Sequence, residues 1–296
     1  MRMLNLLYAE IKKTLLNYRF TGFLVWVFPV GIGVFHLIAW LSTLVDKPFA
    51  REMALAGSTR WTTDALAIWN MISSFPAGLF GRMLPIAFIA VMFAGEYEWR
   101  MWKNLAPRRR RAALMLSKFA VLTAVLVVSF LLTSIAAVAG QAVLRQLAGL
   151  AYGPEPTGAV LSAFATEYLQ TAFLGIISLL ILAGAAALAA ILTRSVLGAM
   201  LLGFGFSVLD SVSFLILALL GHLFRRPELV GLFRFTASYN LENAMSWLRA
   251  GSAYVPDVPG FTGEPALAFS LALLFLWAGG LIGLAVWAFR RQDITS

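Results

Sequence analysis

The chain has 296 residues, 60% of them hydrophobic and 12% charged, with a net charge of +9. A soluble domain carries about 45–50% apolar and about 25% charged residues, so most of this chain belongs in lipid, which excludes a disordered chain and a large water-soluble catalytic domain. It has no cysteine, which excludes disulfides and thiolate metal sites.

Residues 1–19 are expected to form an amphipathic interfacial helix. Leu4, Leu7, Tyr8, Ile11, Leu15 and Tyr18 recur at the i, i+3, i+4 period, with Arg2, Asn5, Lys12, Lys13 and Asn17 opposite them. An anchor for the first span satisfies this pattern, and so does a helix that also touches a cytoplasmic partner. Residues 20–296 read as one all-α transmembrane domain. A spanning helix needs about 20 mainly apolar residues, and six segments qualify: 20–45, 68–95, 119–144, 168–192, 196–223 and 266–289. The runs are continuously apolar, unlike the alternating stretches of a membrane β-barrel. The first run is too long for a signal peptide.

Arg82 in span two and Asp210 in span five are the formal charges within the six spans. Arg82 lies 13 residues before the end of its span, and Asp210 lies 14 residues after the start of its own. Both therefore sit about 20 Å from the same boundary and are predicted to meet as an intramembrane pair. A structural pair and a substrate or gating contact both fit that position. His36 and His222 read as hydrogen-bonded residues, and no metal site is expected. Gly279 and Gly283, Gly198, Gly203 and Gly205, and the alanine-rich run 183–190 are predicted to let helices approach closely.

The loop after span two, 96–118, holds Glu96, Glu98, Trp99, Trp102, Lys103 and Leu105, then Pro107, arginines at 108–111 and finally Lys118. A topology signal with interfacial tryptophans accounts for the bases. A short acid–aromatic helix before a basic turn also suits docking of a protein, with Trp and Arg as typical anchors. In the last long loop, 224–265, Leu241, Ala244, Met245 and Leu248 have helical spacing, which predicts a short helix or re-entrant element that gates or merely packs.

Orientation follows from Lys and Arg. With the N-terminus inside, the inner segments hold 14 bases in 52 residues and the outer ones 8 in 87, with net charges of +10 and −1. Both termini are then cytoplasmic. The basic balance is spent on topology, so no nucleic acid is expected as a partner.

The run from Gly95, Glu96, Tyr97, Glu98 and Trp99 through Lys103, Pro107 and Arg111 to Lys118 resembles the segment after the second span in permeases of the ABC-2 family. The ending Phe289-Arg-Arg-Gln-Asp-Ile is similar to the usual C-terminus of that family, and the layout agrees over the whole chain. Arg100 and Met101 stand near where a Gly-Thr step is usual. The resemblance implies the permease subunit of an ATP-driven ABC exporter in a bacterial or archaeal cell membrane, dimeric with a second permease protomer and seated on cytoplasmic ABC ATPase subunits. It implies that Glu96, Glu98, Trp99, Trp102 and Lys103 belong to an ATPase-coupling element. No phosphate-loop motif occurs, so ATP hydrolysis is expected in a separate chain, with no cofactor and no catalytic residue in this one. A membrane anchor or regulatory subunit of a larger complex is the alternative reading, and an intramembrane enzyme has no acid–base or nucleophile constellation to support it.

Overall fold

In hydrocarbon no water is present to satisfy backbone N–H and C=O groups, so apolar runs of this length close their hydrogen bonds within helices. The computed structural model describes residues 3–16, 22–73, 81–99 and 110–292, and these are mostly helical, with no strand among them. The helices are α1 (Met3–Leu16), α2 (Phe23–Val45), α3 (Lys47–Ala56), α4 (Trp61–Ser73), α5 (Met83–Glu98), α6 (Arg111–Leu147), α7 (Gly158–Thr193), α8 (Val196–Leu223), α9 (Ala237–Ala250) and α10 (Leu267–Arg291), with a 3₁₀ segment at Pro227–Phe235. Five of them, α2, α6, α7, α8 and α10, are individually long and apolar enough to cross a membrane. The chain is a multi-pass helical membrane protein.

Within the segment 68–95, expected as one span, the described residues belong to two helices, and residues 74–80 lie outside the described residues. The first helix there begins earlier, at Trp61, and ends at Ser73, and the second runs from Met83 to Glu98. The early start has a long-range cause. Trp61 N–H donates to Gly153 O at 2.9 Å and its indole N–H to Pro154 O at 2.7 Å, so the segment before α7 holds the first turn of α4. Capping fixes the other boundaries. Asp46 ends α2 and accepts from Phe49 N–H to open α3. Thr157 opens α7 and Ser195 opens α8 with side-chain caps. Arg194, in the left-handed region at φ 54°, makes the turn between those two helices.

α7 is the axis of the bundle. It packs on α4, α5, α6, α8, α9 and α10, and 78% of its most apolar window is buried, against 22% for α2 and 17% for α8. The alanine-rich run 183–190 makes this possible. A Cβ on Gly184 would stand 2.6 Å from Leu281 Cβ and 3.1 Å from Ile282 N, so α7 and α10 approach at a distance that only glycine permits. Gly203 of α8 sits equally close to Ala186 and Ile86. Gly279 and Gly283 behave differently from expectation: a Cβ on either meets nothing within 4 Å, so they face away from the protomer's own contacts.

The core is aromatic at the crossing of α2, α4 and α6. Trp69 and Phe28 both stack edge-on against Phe130 at 5.3 Å. A polar thread runs through it: Trp69 N–H donates to Tyr168 OH, Tyr168 OH to Ser134 Oγ, and Ser134 Oγ to Ala65 O. Each polar group of this thread is thereby paired, which lowers the cost of burying it.

The predicted helix of the last long loop is α9. It is stitched down by its own buried amides. Asn243 donates to Pro265 O and Ser270 Oγ and accepts from Tyr254 N–H, and Asn240 donates to Arg234 O and Thr236 O. These bonds favour packing over a freely swinging lid.

Candidate functional site

Charged side chains gather at one end of the bundle, where α1, the end of α5, the start of α6 and the last turn of α10 meet. Lys118 of α6 is buried there, and its Nζ donates to Glu10 Oε1 at 2.7 Å, Glu96 Oε1 at 2.7 Å and Met92 O at 3.1 Å. Lys13 of α1 donates to the same Glu96 oxygen. Two lysines and two glutamates from three helices thus neutralise one another. Burial pushes the Glu96 carboxyl up, but the facing charges of Lys118 and Lys13 outweigh it and hold the group below its ordinary value.

The next residues tie the end of α5 to three more helices. Glu98 is exposed, and its Oε1 accepts from Val196 N–H at 2.8 Å, one of the unpaired donors at the start of α8. Tyr97 OH donates to Gln292 Oε1, and Gln292 Nε2 donates to Ile191 O of α7 at 3.1 Å. Burial raises the Tyr97 hydroxyl well above its ordinary value, so it stays a neutral donor. Arg111 binds Arg290 O and Gln292 O, closing α6 onto the end of α10. Trp99 is 41% exposed and folds back over Gly95, where a Cβ would meet its ring at 3.0 Å.

Of the residues expected on a docking surface, Glu98 and Trp99 are exposed. Glu96 is not: it is 1% exposed, turned inward because two lysines wait there. Trp102 and Lys103 lie outside the described residues. α1 turns a mixed face toward the rest of the protomer. Leu6, Leu7, Glu10, Lys13 and Thr14 are its sheltered positions, whereas Tyr8 is 68% and Ile11 37% exposed. The ion partners in α5 and α6 hold that face, which leaves Tyr8 and Ile11 of the apolar stripe outside the protomer's core. Sequence reasoning missed Glu10 and Lys118 as members of a site. A signal existed: Glu10 is the one acid in the first 19 residues, and it stands one turn from Lys13.

The second polar group lies inside the bundle. Arg82 is buried, and its Nε donates to Ile72 O at 3.1 Å, joining the start of α5 to the end of α4. Ser178 of α7 donates to the same carbonyl. Asp210 Oδ1 instead accepts from Ala237 N–H at 3.1 Å and Ser238 N–H at 3.2 Å, the first donors of α9. Ser238 Oγ returns a bond to Asp210 O. Among the described residues Arg82 and Asp210 form no ion pair within 4.0 Å. The charges of Asp210 and Glu242 act on Arg82 at longer range. The two residues share a region, as their depth predicts, but the carboxylate is claimed by a helix N-terminus, which offers two donors and a partial positive charge.

His36 is a satisfied ring. Its Nδ1 donates to Ile32 O at 2.9 Å, and Gly140 makes room for it, since a Cβ there would stand 2.3 Å from the imidazole. No group of three or more His, Asp or Glu gathers among the described residues to hold a metal ion. No protein-family model matches this sequence, and no curated protein matches it either.

Proposed function

We propose that the chain is the membrane-spanning permease subunit of an ATP-driven exporter of the ABC-2 type, working as a dimer on two cytoplasmic ATPase subunits. The observation that supports this reading is the wiring of residues 96–99. Within one helical turn, Glu96, Tyr97 and Glu98 bind α1, α6, α8 and the end of α10, while Glu98 and Trp99 stay at the surface. A push delivered there by a partner reaches four helices at once. α4 and α5 together make the sixth crossing, with both termini cytoplasmic. α8, the least buried span, and α2 and α10, which tie after it, share their outer surface between lipid and a second protomer.

The test is a photo-crosslinking amino acid in place of Trp99, in cells that express the whole chain. The expected product joins the chain to an ATPase, identified by mass spectrometry. Glu98→Lys is expected to leave the chain folded and to abolish ATPase stimulation, because it removes the α8 contact and reverses the surface charge. Glu96→Lys is the wrong probe, since it places a third cation in a buried cluster. An unmodified ATPase rate in Glu98→Lys and no crosslink at position 99 would reduce the segment to a topology signal.

Topology gives a second check. Single cysteines at Ser58, Gly158 and Ser252 are expected to react with an impermeant maleimide from outside intact cells. Labelling of Ser58→Cys only after lysis reverses the orientation and removes residues 96–99 from the cytoplasm.

A further inference from the structure

A cavity of about 380 Å3 lies between α2, α4 and α6 and is bordered by the start of α5. Val27, Phe28, Ile32, Ile68 and Met71 make its wall apolar, and Asp64 is the one charged side chain that lines it. The two hydroxyls present are already committed: Thr133 donates to Ser129 O and Ser134 to Ala65 O. The carboxylate is less committed. Tyr152 OH donates to its Oδ2 at 2.8 Å, and no ion pair within 4.0 Å reaches it among the described residues. Arg145, whose charge acts on Asp64, turns its guanidinium to Ala151 O, Ala54 O and Ser58 O. Asp64 sits in the first turn of α4, where the helix dipole favours an anion without a partner cation.

A half-buried carboxylate in an apolar wall, with no ion pair within 4.0 Å among the described residues, offers its charge to a ligand of opposite sign. The volume falls in the range of drug-sized sites, roughly 300–1,000 Å3, which are mostly apolar with a few placed polar groups. We propose that this cavity binds an amphipathic organic cation, with its apolar body between α2, α4 and α6 and its charge against Asp64. The sign of the one charge selects a cation over an anion, and the wall selects an aromatic or aliphatic body over a hydrated metal ion. This inference rests on the export reading and names its substrate class.

The probe is tetraphenylphosphonium, with neutral triphenylphosphine oxide as the comparison. Both are measured by equilibrium dialysis against the full chain in zwitterionic phosphatidylcholine nanodiscs. The wild type is expected to bind the cation about ten-fold or more tightly than the oxide, which is about 1.4 kcal/mol. Asp64→Asn is expected to erase that preference and leave the oxide unchanged, while Asp64→Glu retains it. Gly31→Leu is expected to weaken both ligands, since Gly31 lines the cavity and a Cβ there meets nothing within 4 Å. Equal binding of cation and oxide by the wild type overturns the proposal. So does an Asp64→Asn chain that binds the cation as tightly as wild type, or a co-purified phospholipid that the cation fails to displace. No ATPase takes part in this measurement. Its failure leaves the crosslink at position 99 standing, and loss of that crosslink leaves the cation binding standing.

Discussion

Lys118→Met is expected to destabilise the protein by about 3–5 kcal/mol, the usual cost of removing one partner from a buried ionic group. The substitution keeps the length and apolar stem of the side chain but removes the charge. Glu96, at 1% exposure, then shares only Lys13, and Glu10 loses its ion partner. Glu96→Gln is expected to cost less, because Lys118 still holds Glu10. Glu98→Gln is expected to cost under about 1 kcal/mol, the scale of an exposed helix cap. Thermal unfolding of the purified chain in detergent gives the ranking. A Lys118→Met midpoint within about 0.5 kcal/mol of wild type would show that the cluster contributes nothing. The pH dependence has a fixed sign. Glu96 is held below the ordinary glutamate value of 4.5, so its contribution is complete above that pH and is lost as pH falls through the lower, folded value. The wild type should therefore lose stability below about pH 4.5 faster than Glu96→Gln does.

The spans that the sequence marks clearly are those whose apolar runs answer only to lipid. Span five matches its expected bounds, 196–223, because Ser195 caps one end and Phe224 closes the other just before Arg225 and Arg226. The second span was not legible in the same way. Apolar composition does not reveal that α4 begins at Trp61, since the bonds that hold its first turn come from Gly153 and Pro154, over 90 residues away in the chain. The inward face of α1 was hidden for the same reason. Periodicity assumes that apolar residues choose the buried side, but Glu10 finds its partner 108 residues away in Lys118. The residues expected on a docking surface divide along that line. Glu98 and Trp99 stand where a local reading puts them, whereas Glu96 is drawn inward by long-range charge. The cavity around Asp64 carried no sequence signal, because an acid in the first turn of a helix is ordinary and its apolar surroundings come from three separate segments.

Asp210 provides the sharpest distinction between a depth argument and a contact. If Arg82 were its ion partner, Asp210→Asn would leave an unpaired buried cation, and adding Arg82→Met would recover most of the loss. The observed bonds make the opposite forecast. Asp210 accepts from Ala237 N–H and Ser238 N–H, and an asparagine oxygen at the same position still accepts from both. Asp210→Asn is therefore expected to cost about 1–2 kcal/mol, the difference between a charged and a neutral acceptor. Asp210→Ala strands two backbone donors away from water and is expected to cost about 2–5 kcal/mol, roughly 1–3 for each donor with some relief from Thr236, which caps the same helix. Arg82→Met is expected to act almost independently, because its direct bond is to Ile72 O and the charge of Asp210 reaches it only at longer range. The double-mutant cycle of Arg82→Met with Asp210→Asn should then show a coupling below about 0.5 kcal/mol, the limit for sites without a shared contact. Hydrogen exchange adds a local readout: in Asp210→Ala the amides of α9 should exchange faster while those of α7 stay protected. A coupling above about 2 kcal/mol, with the double variant nearly as stable as wild type, would restore the ion pair and reduce the α9 cap to a secondary contact.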